Sequence, residues 1–429
     1  MKPIVKSLVI LGMSALLSAP ALAKKTEIEV WHTLSGPNRA EFESLINRFN
    51  SSQSNVVVDL THYRDQDSLE KDAAEAIAGK GAKPDLVQLR DNRSPEVVAQ
   101  HKDILPLYQL LAKYPVPDSS WFLEKTTDFV RDSRGRLLAF PYMAEVPIMF
   151  YNVEMYRGAG LDADAPPATW SELQAHLLKL RNDGNVRCPY VTSDQVKVHI
   201  ENLAPINDEF YLTPDNGMKP SPNLSFNFSK LYVRHLSLMV SWRKTELLLQ
   251  HSAQGQATEG FTQGRCAVLT AGSGALGEVL QSNMRFGVAP VPYYEQETPK
   301  PGAPFIGGSA LWAVKGNSDA RQKATAELIS YLAKPVVAAE WHQKTGYLPL
   351  TDAAFRAADV SFYNRIPGAR KIVDQMTNGD SKKSTGFDVR NYPKILVLFN
   401  QAFDLALTDK TPPMTALMNA KAEAAKLMR

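Results

Sequence analysis

Apolar residues near the start of the chain recur first at every second position and then at every third or fourth, and the two rhythms alternate. TEIEVWHT (26–33) alternates and stops at Ser35-Gly36-Pro37, so it predicts a strand entering a turn. In NRAEFESLINRFNSS (38–52), Phe42, Leu45, Ile46 and Phe49 form a helical stripe, with Asn38 as its expected cap. VVVDLTHY (56–63) reads as a second strand, SLEKDAAEAIAGKG (68–81) as a helix ending at glycines, and PDLVQL (84–89) as a third strand. Strand, helix, strand, helix, strand predicts a parallel sheet with right-handed crossovers. Ligands of such sheets sit beyond the carboxyl ends of the strands. That directs attention to the loops His32–Pro37, Tyr63–Ser68 and Arg90–Ser94.

RLLAFPYMAEVPIMFYN (136–152) is an extended apolar run framed by Pro141 and Pro147, and PPATW (166–170) leads to a helix from Ser171 to Arg181. CPYVTS (188–193) reads as the strand after that helix. Residues 204–230 hold several Pro and Asn with little periodicity and are expected to form a surface excursion. GRCAVLTAGSG (264–274) and FGVAPVPYY (286–294) are strands, the first ending in a glycine turn, and FIGGSALWAVKGN (305–317) is a strand pair or bulged strand. Helices are expected over Ala320–Ala333, Pro335–Lys344 and from Pro393 onward.

With 429 residues the chain exceeds what one core holds, which predicts two lobes. MKPIVK followed by SLVILGMSALLSA and an Ala-x-Ala pattern has the layout of a secretory leader cut after Ala23, residues 1–23. Its apolar run is shorter than the roughly 20 residues a membrane span needs. The residue directly after Ala23 is Lys24 and not a Cys, which argues against a lipid anchor. Without Lys2 and Lys6 the basic count falls from 48 to 46 against 45 acidic residues, a net charge near +1. That balance argues against a nucleic-acid partner, which calls for a basic face. The expectation is a soluble exported protein, periplasmic in a Gram-negative cell. Cys188 and Cys266 are the two cysteines. In an oxidising compartment they form either a disulfide or two separate buried thiols, and 78 positions of separation leave both open.

Glu145 is the first chemical candidate. A lone carboxylate between Ala144 and Val146 is costly to bury without a partner, so it either forms a structural salt bridge or lines a cleft and accepts hydrogen bonds from a ligand. Asp91 and Asp67 follow predicted strands and serve either as turn residues or as ligand contacts. The glycine turns GSG (272–274) and IGG (306–308) present backbone N–H groups suited to an anion or hydroxyl oxygen, yet neither has the lysine of a Walker loop. WHQKTGYLPL (341–350) crowds a Trp, a His, a Lys and a Tyr together; Tyr347, like Trp312, is either a core aromatic or a ligand contact. No GxSxG, no HExxH and no metal-ligand spacing among eight histidines is present, so neither a metal nor a cofactor is expected. A glycoside hydrolase using Asp91 and Glu145 is the enzymatic alternative.

EVWHTLSG (29–36), FYNVEMYRGAGLDADAPPATWSEL (150–173), GRCAVLTAGSG, IGGSALWAV (306–314) and AKPVVAAEWHQKTGYLPLT (333–351) together resemble the extracellular solute-binding protein family 1 that serves ABC importers. The likeness runs along nearly the whole chain, is nearest to the glycerol-3-phosphate branch and extends more distantly to the maltose branch. It implies an α/β, two-lobe periplasmic binding protein fold of type II, with a hinge of two or three crossing segments near Tyr142–Glu145, Pro290 and Lys334. The lobes implied are 24–141 plus 291–334, and 142–290 plus 335–429. It further implies a monomer that closes on a small-molecule solute and docks on membrane permease subunits, without catalysis. Both cysteines fall where that branch has them.

Carried over position by position, Gly308 and Tyr347 match ligand contacts of the glycerol-3-phosphate branch. Asp91 stands in place of a glutamate, Asp67 of a tyrosine, and Gly272 of a serine beside Ser273. Glu145 replaces a serine and coincides with a sugar-binding glutamate of the maltose branch. Asp194 and Lys197 take the place of two stacking tryptophans. Leu396 falls where the phosphate-binding arginine is expected, with Arg390 or Lys394 as substitutes. Acids at Asp67, Asp91 and Glu145 are expected to repel a dianion. The expected solute is therefore sn-glycerol 3-phosphate or a glycerophosphodiester, with a neutral sugar, polyol or amine-bearing compound as the alternative.

Overall fold

The computed structural model describes residues 25–90, 104–116, 128–132, 134–219, 221–250, 255–378 and 382–428. The leader expected over residues 1–23 and the candidate Asp91 lie outside the described residues. In chain order the strands are β1 (Thr26–His32), β2 (Val56–His62), β3 (Leu86–Arg90), β4 (Ile104–Leu105), β5 (Phe140–Glu145), β6 (Pro147–Asn152), β7 (Cys188–Thr192), β8 (Leu212–Thr213), β9 (Ser225–Phe226), β10 (Cys266–Gly272), β11 (Phe286–Pro290) and β12 (Gly307–Val314).

The alternation in β1 buries Ile28 and Val30 against the helix Gly36–Ser52, whose Phe42, Leu45, Ile46 and Phe49 form the expected stripe. β1 pairs in parallel with β2 and β3, as the strand–helix rhythm requires. β12 then adds antiparallel to β3, β4 and β5, giving the order β2-β1-β3-β12-β4 with β5 also on β12. The second sheet has the order β11-β6-β10-β7. Trp31, Phe140, Trp312 and Leu328 belong to the core of the first sheet; Tyr156, Trp170, Tyr190, Trp242 and Phe399 to that of the second. Trp312 is thus a core aromatic, fully buried.

Helix Trp170–Asn182 begins with a reciprocal cap: Thr169 accepts from the Glu172 N–H while Glu172 accepts from the Thr169 N–H. Two backbone donors are satisfied at once, worth on the order of 1 kcal/mol. In the neighbouring strands Cys188 and Cys266 are register partners and form a disulfide.

Four expectations require correction. Residues 204–230 are no surface excursion: Tyr211, Leu212 and Phe226 are fully buried, and buried Asn216 accepts from the N–H groups of Tyr211 and Leu212. Irregular backbone satisfied by an Asn side chain leaves no periodic trace. The second crossing lies near Ile306–Gly307 rather than Pro290, because Val291, Tyr294 and Phe305 pack into the second core and Asn207 and Asn202 bind the Tyr294 and Phe305 N–H groups. β5 stays in the first sheet through Glu145, opposite Gly307, so the chain leaves it at Val146, inside the span assigned to the other lobe. The helical region after Pro393 divides into Tyr392–Leu407 and Pro413–Leu427: the first ends at Thr408, followed by Asp409 in the left-handed region at φ +59°, and Pro413 opens the second.

Candidate ligand-binding cleft

Pro147 biases the residue before it toward extended backbone, so β5 runs directly into β6 and leaves Glu145 where the two sheets part. Three glycines make room for that carboxylate. Gly308 has φ +111°, and a Cβ there would lie 2.2 Å from the Met143 carbonyl oxygen and 3.0 Å from Glu145 Cγ. A Cβ on Gly272 would lie 2.4 Å from Glu145 Oε2, and one on Gly274 2.9 Å from the same atom. The GSG turn closes on Glu145: the Gly274 N–H donates to Oε2 at 3.2 Å and the Ser273 N–H donates to the Val146 carbonyl at 2.8 Å. The Ser273 hydroxyl is buried there with no protein partner among the described residues.

The other Glu145 oxygen accepts from Lys197 Nζ at 2.8 Å. Both side chains are largely sequestered, 12% and 21% exposed for Lys197 and Glu145. Lys197 opens a π-helical turn, Lys197–Glu201, whose wider coil is common where a side chain must be aimed at a site. Asp194 is exposed and accepts from the Lys197 N–H at 3.2 Å, holding the turn's start.

Tyr347 enters from the stretch WHQKTGYLPL. Helix Pro335–Thr345 stops at Gly346, whose φ of +82° lets the chain reverse. Trp341 donates to the Tyr142 carbonyl at 2.6 Å and stacks on both Tyr142 and Tyr347, with ring centroids 4.6 and 5.5 Å away. Burial lowers the His342 pKa to about 4, so the ring is neutral. Its Nδ1–H then donates to the Tyr347 carbonyl and its Nε2 accepts from the Tyr363 hydroxyl, each at 2.6 Å. Tyr347 is half-buried beside Gly274. Burial, reinforced by Glu145, drives its phenol pKa well above the usual value, while Asn38 and Lys197 work against that rise. The hydroxyl therefore stays a neutral donor.

Among the sequence candidates, Glu145, Gly272, Ser273, Gly308 and Tyr347 come together, with Asp194 at one remove. Asp67 does not join them: its side chain is 86% exposed and pairs with Arg90 at 3.1 Å. Of the three acids expected to repel a dianion, Asp67 pairs with Arg90 and Glu145 with Lys197, and Asp91 lies outside the described residues. Arg390 is exposed just ahead of helix Tyr392–Leu407, and Leu396 packs against the second core.

Two contributors were missed. Lys197 figured only as a replaced tryptophan; the one available signal is a lone lysine among Val196, Val198 and Ile200. Asn38 is no cap, because Ser35 holds that position, and its amide instead donates 2.9 Å across to the Gly274 carbonyl. Lys344, exposed on helix Pro335–Thr345, pairs with Glu41 at 2.9 Å and Glu340 at 2.6 Å.

This arrangement of two sheets has counterparts among known proteins. The chain belongs to the bacterial extracellular solute-binding proteins, whose family model matches residues 44–367. It is therefore a binding protein rather than an enzyme. It is 33% identical over 427 residues to the sn-glycerol-3-phosphate-binding periplasmic protein UgpB of Yersinia pestis bv. Antiqua, covering 98% of this chain and 96% of that one. The Brucella abortus protein of the same name is 31% identical over 416 residues, covering 96% and 95%. Among solved structures, UgpB from Mycobacterium tuberculosis in complex with glycerophosphocholine superposes with a TM-score of 0.75 at 21% identity, over 94% of this chain and 98% of that one. Maltose-bound MalE3 of T. maritima gives 0.76 at 18%, over 94% and 100%. The two-lobe binding-protein fold is thereby established.

Proposed function

We propose that this protein is the exported, periplasmic receptor of an ABC importer, that it acts as a monomer, and that it delivers a glycerol-phosphate solute, sn-glycerol 3-phosphate or a glycerophosphodiester, to permease subunits in the inner membrane. The observation that carries this reading is the cleft group itself. Glu145, Lys197, the Gly274 N–H and Tyr347 place one carboxylate, one ammonium and two neutral donors within one small space. Lys197 faces the phosphate as a point charge, Glu145 faces a neighbouring group of the solute as an acceptor, and Tyr347 supplies an aromatic face. The names of the curated relatives support the solute class, and the leader pattern over residues 1–23 supports export. Solute contacts from both lobes favour the closed form.

A thermal-shift panel of sn-glycerol 3-phosphate, glycerophosphocholine, maltose and glucosamine tests the solute class. Glycerol phosphates should raise the melting temperature most. Stabilisation by maltose alone would move the protein to the sugar receptors.

A further inference from the structure

Lys197 and Glu145 meet from opposite sides of the cleft, one on the second lobe's π-helical turn and the other on the last residue of a first-sheet strand. Neither is loosely placed. The Gly274 N–H holds the carboxylate, and the Asn202 amide donates to the Lys197 carbonyl at 2.9 Å while Asp194 accepts from its N–H. Beside the Gly274 turn and Tyr347 a solute meets two oppositely charged groups that are both mostly out of water.

Separating such a pair is costly unless each ion regains a partner. A neutral sugar compensates the ammonium poorly. A phosphate monoester, close to doubly charged at neutral pH, satisfies Lys197 but sets its negative charge against Glu145. A solute with one negative and one positive centre compensates both ions at once. Tyr347, half-buried and backed by Trp341, adds an aromatic face of the kind that attracts an alkylammonium group.

We propose that Glu145 and Lys197 act as a charge-pair filter that selects zwitterionic solutes, a phosphodiester anion taking Lys197 and a cationic head group taking Glu145. This rests on the glycerol-phosphate reading above and narrows it to diesters bearing an amine or quaternary ammonium. Specificity then comes as much from what the pair rejects as from what it holds.

Titration calorimetry at fixed ionic strength tests the filter, with glycerophosphocholine, sn-glycerol 3-phosphate and maltose as probes. The unmodified protein should bind glycerophosphocholine at least about tenfold more tightly than sn-glycerol 3-phosphate. Glu145→Gln keeps the shape and an acceptor for Gly274 but removes the charge, so that ratio should shrink by about tenfold, with sn-glycerol 3-phosphate binding more tightly than before. Lys197→Gln is an independent second arm and should weaken both phosphates. If the unmodified protein binds glycerol phosphates but Glu145→Gln leaves their ratio unchanged, the filter is wrong and the solute class stands. If it binds maltose and neither phosphate, the solute class falls and the filter with it.

Discussion

Asn38, on the first helix of the first lobe, donates a 2.9 Å hydrogen bond to the carbonyl of Gly274, the residue whose N–H holds Glu145. One peptide turn is thus tied to a helix of one lobe and to the carboxylate where the sheets part. Gly277 makes the approach possible, since a Cβ there would lie 2.1 Å from Asn38 Oδ1.

Asn38→Ala should therefore loosen the closed form more than the fold. The lost hydrogen bond contributes about 1 kcal/mol, which predicts solute affinity lowered by about fivefold. Calorimetric titration reads the affinity, and small-angle scattering should show a more open average shape in the variant.

Gly346→Ala should damage both stability and binding. Its φ of +82° is strained for alanine, and a Cβ would meet the Ser273 carbonyl oxygen at 2.1 Å. A cost of about 1–3 kcal/mol follows from the backbone alone, with a further loss of affinity because Tyr347 moves with the turn. Thermal melts with and without solute separate the two effects.

Acid should destabilise the protein through its buried histidines. Burial lowers His32 and His342 to about 4 and His199 to about 3, against 6.5 for the free side chain. The unfolded chain takes up their protons first as pH falls. Their stabilisation is complete above about 6.5 and is lost progressively as pH drops toward 4. Each contributes a slope of up to about 1.4 kcal/mol per pH unit in that window. Melting temperature measured from pH 7.5 to 4.5 should fall accordingly, and His342→Gln should flatten the curve.

Reducing the Cys188–Cys266 disulfide, or replacing both residues with Ser, should lower stability. The bond closes a separation of 78 residues, for which chain entropy gives about 4 kcal/mol. Calorimetric melts with and without a thiol reductant measure it.

Much of the first lobe was legible in the sequence because local rules govern it. The alternation of TEIEVWHT and the stripe through Phe42 and Phe49 each state a local backbone requirement. Glu145 was legible for a similar reason, as one charge in an apolar run with proline on either side. Lys197 was not. Its partner lies 52 residues away, and QVKVHIENL reads equally as an alternating strand or an amphipathic turn. Asn38 was misread because helix starts commonly place an Asn as a cap, while its real partner lies 236 positions along the chain. The ring-filled core of residues 204–230 was missed because aromatic residues at irregular spacing leave no period to detect.

The central claim, that solute is held where Glu145 meets the second lobe, is tested most directly by titrating Glu145→Ala with glycerophosphocholine beside the unmodified protein. One-to-one binding by the unmodified protein, weakened at least about tenfold in a variant that keeps the folded circular-dichroism spectrum although its solute-free melting temperature falls with the loss of the Lys197 pair, is the expected result. Equal affinity in both proteins would contradict it and place the solute elsewhere.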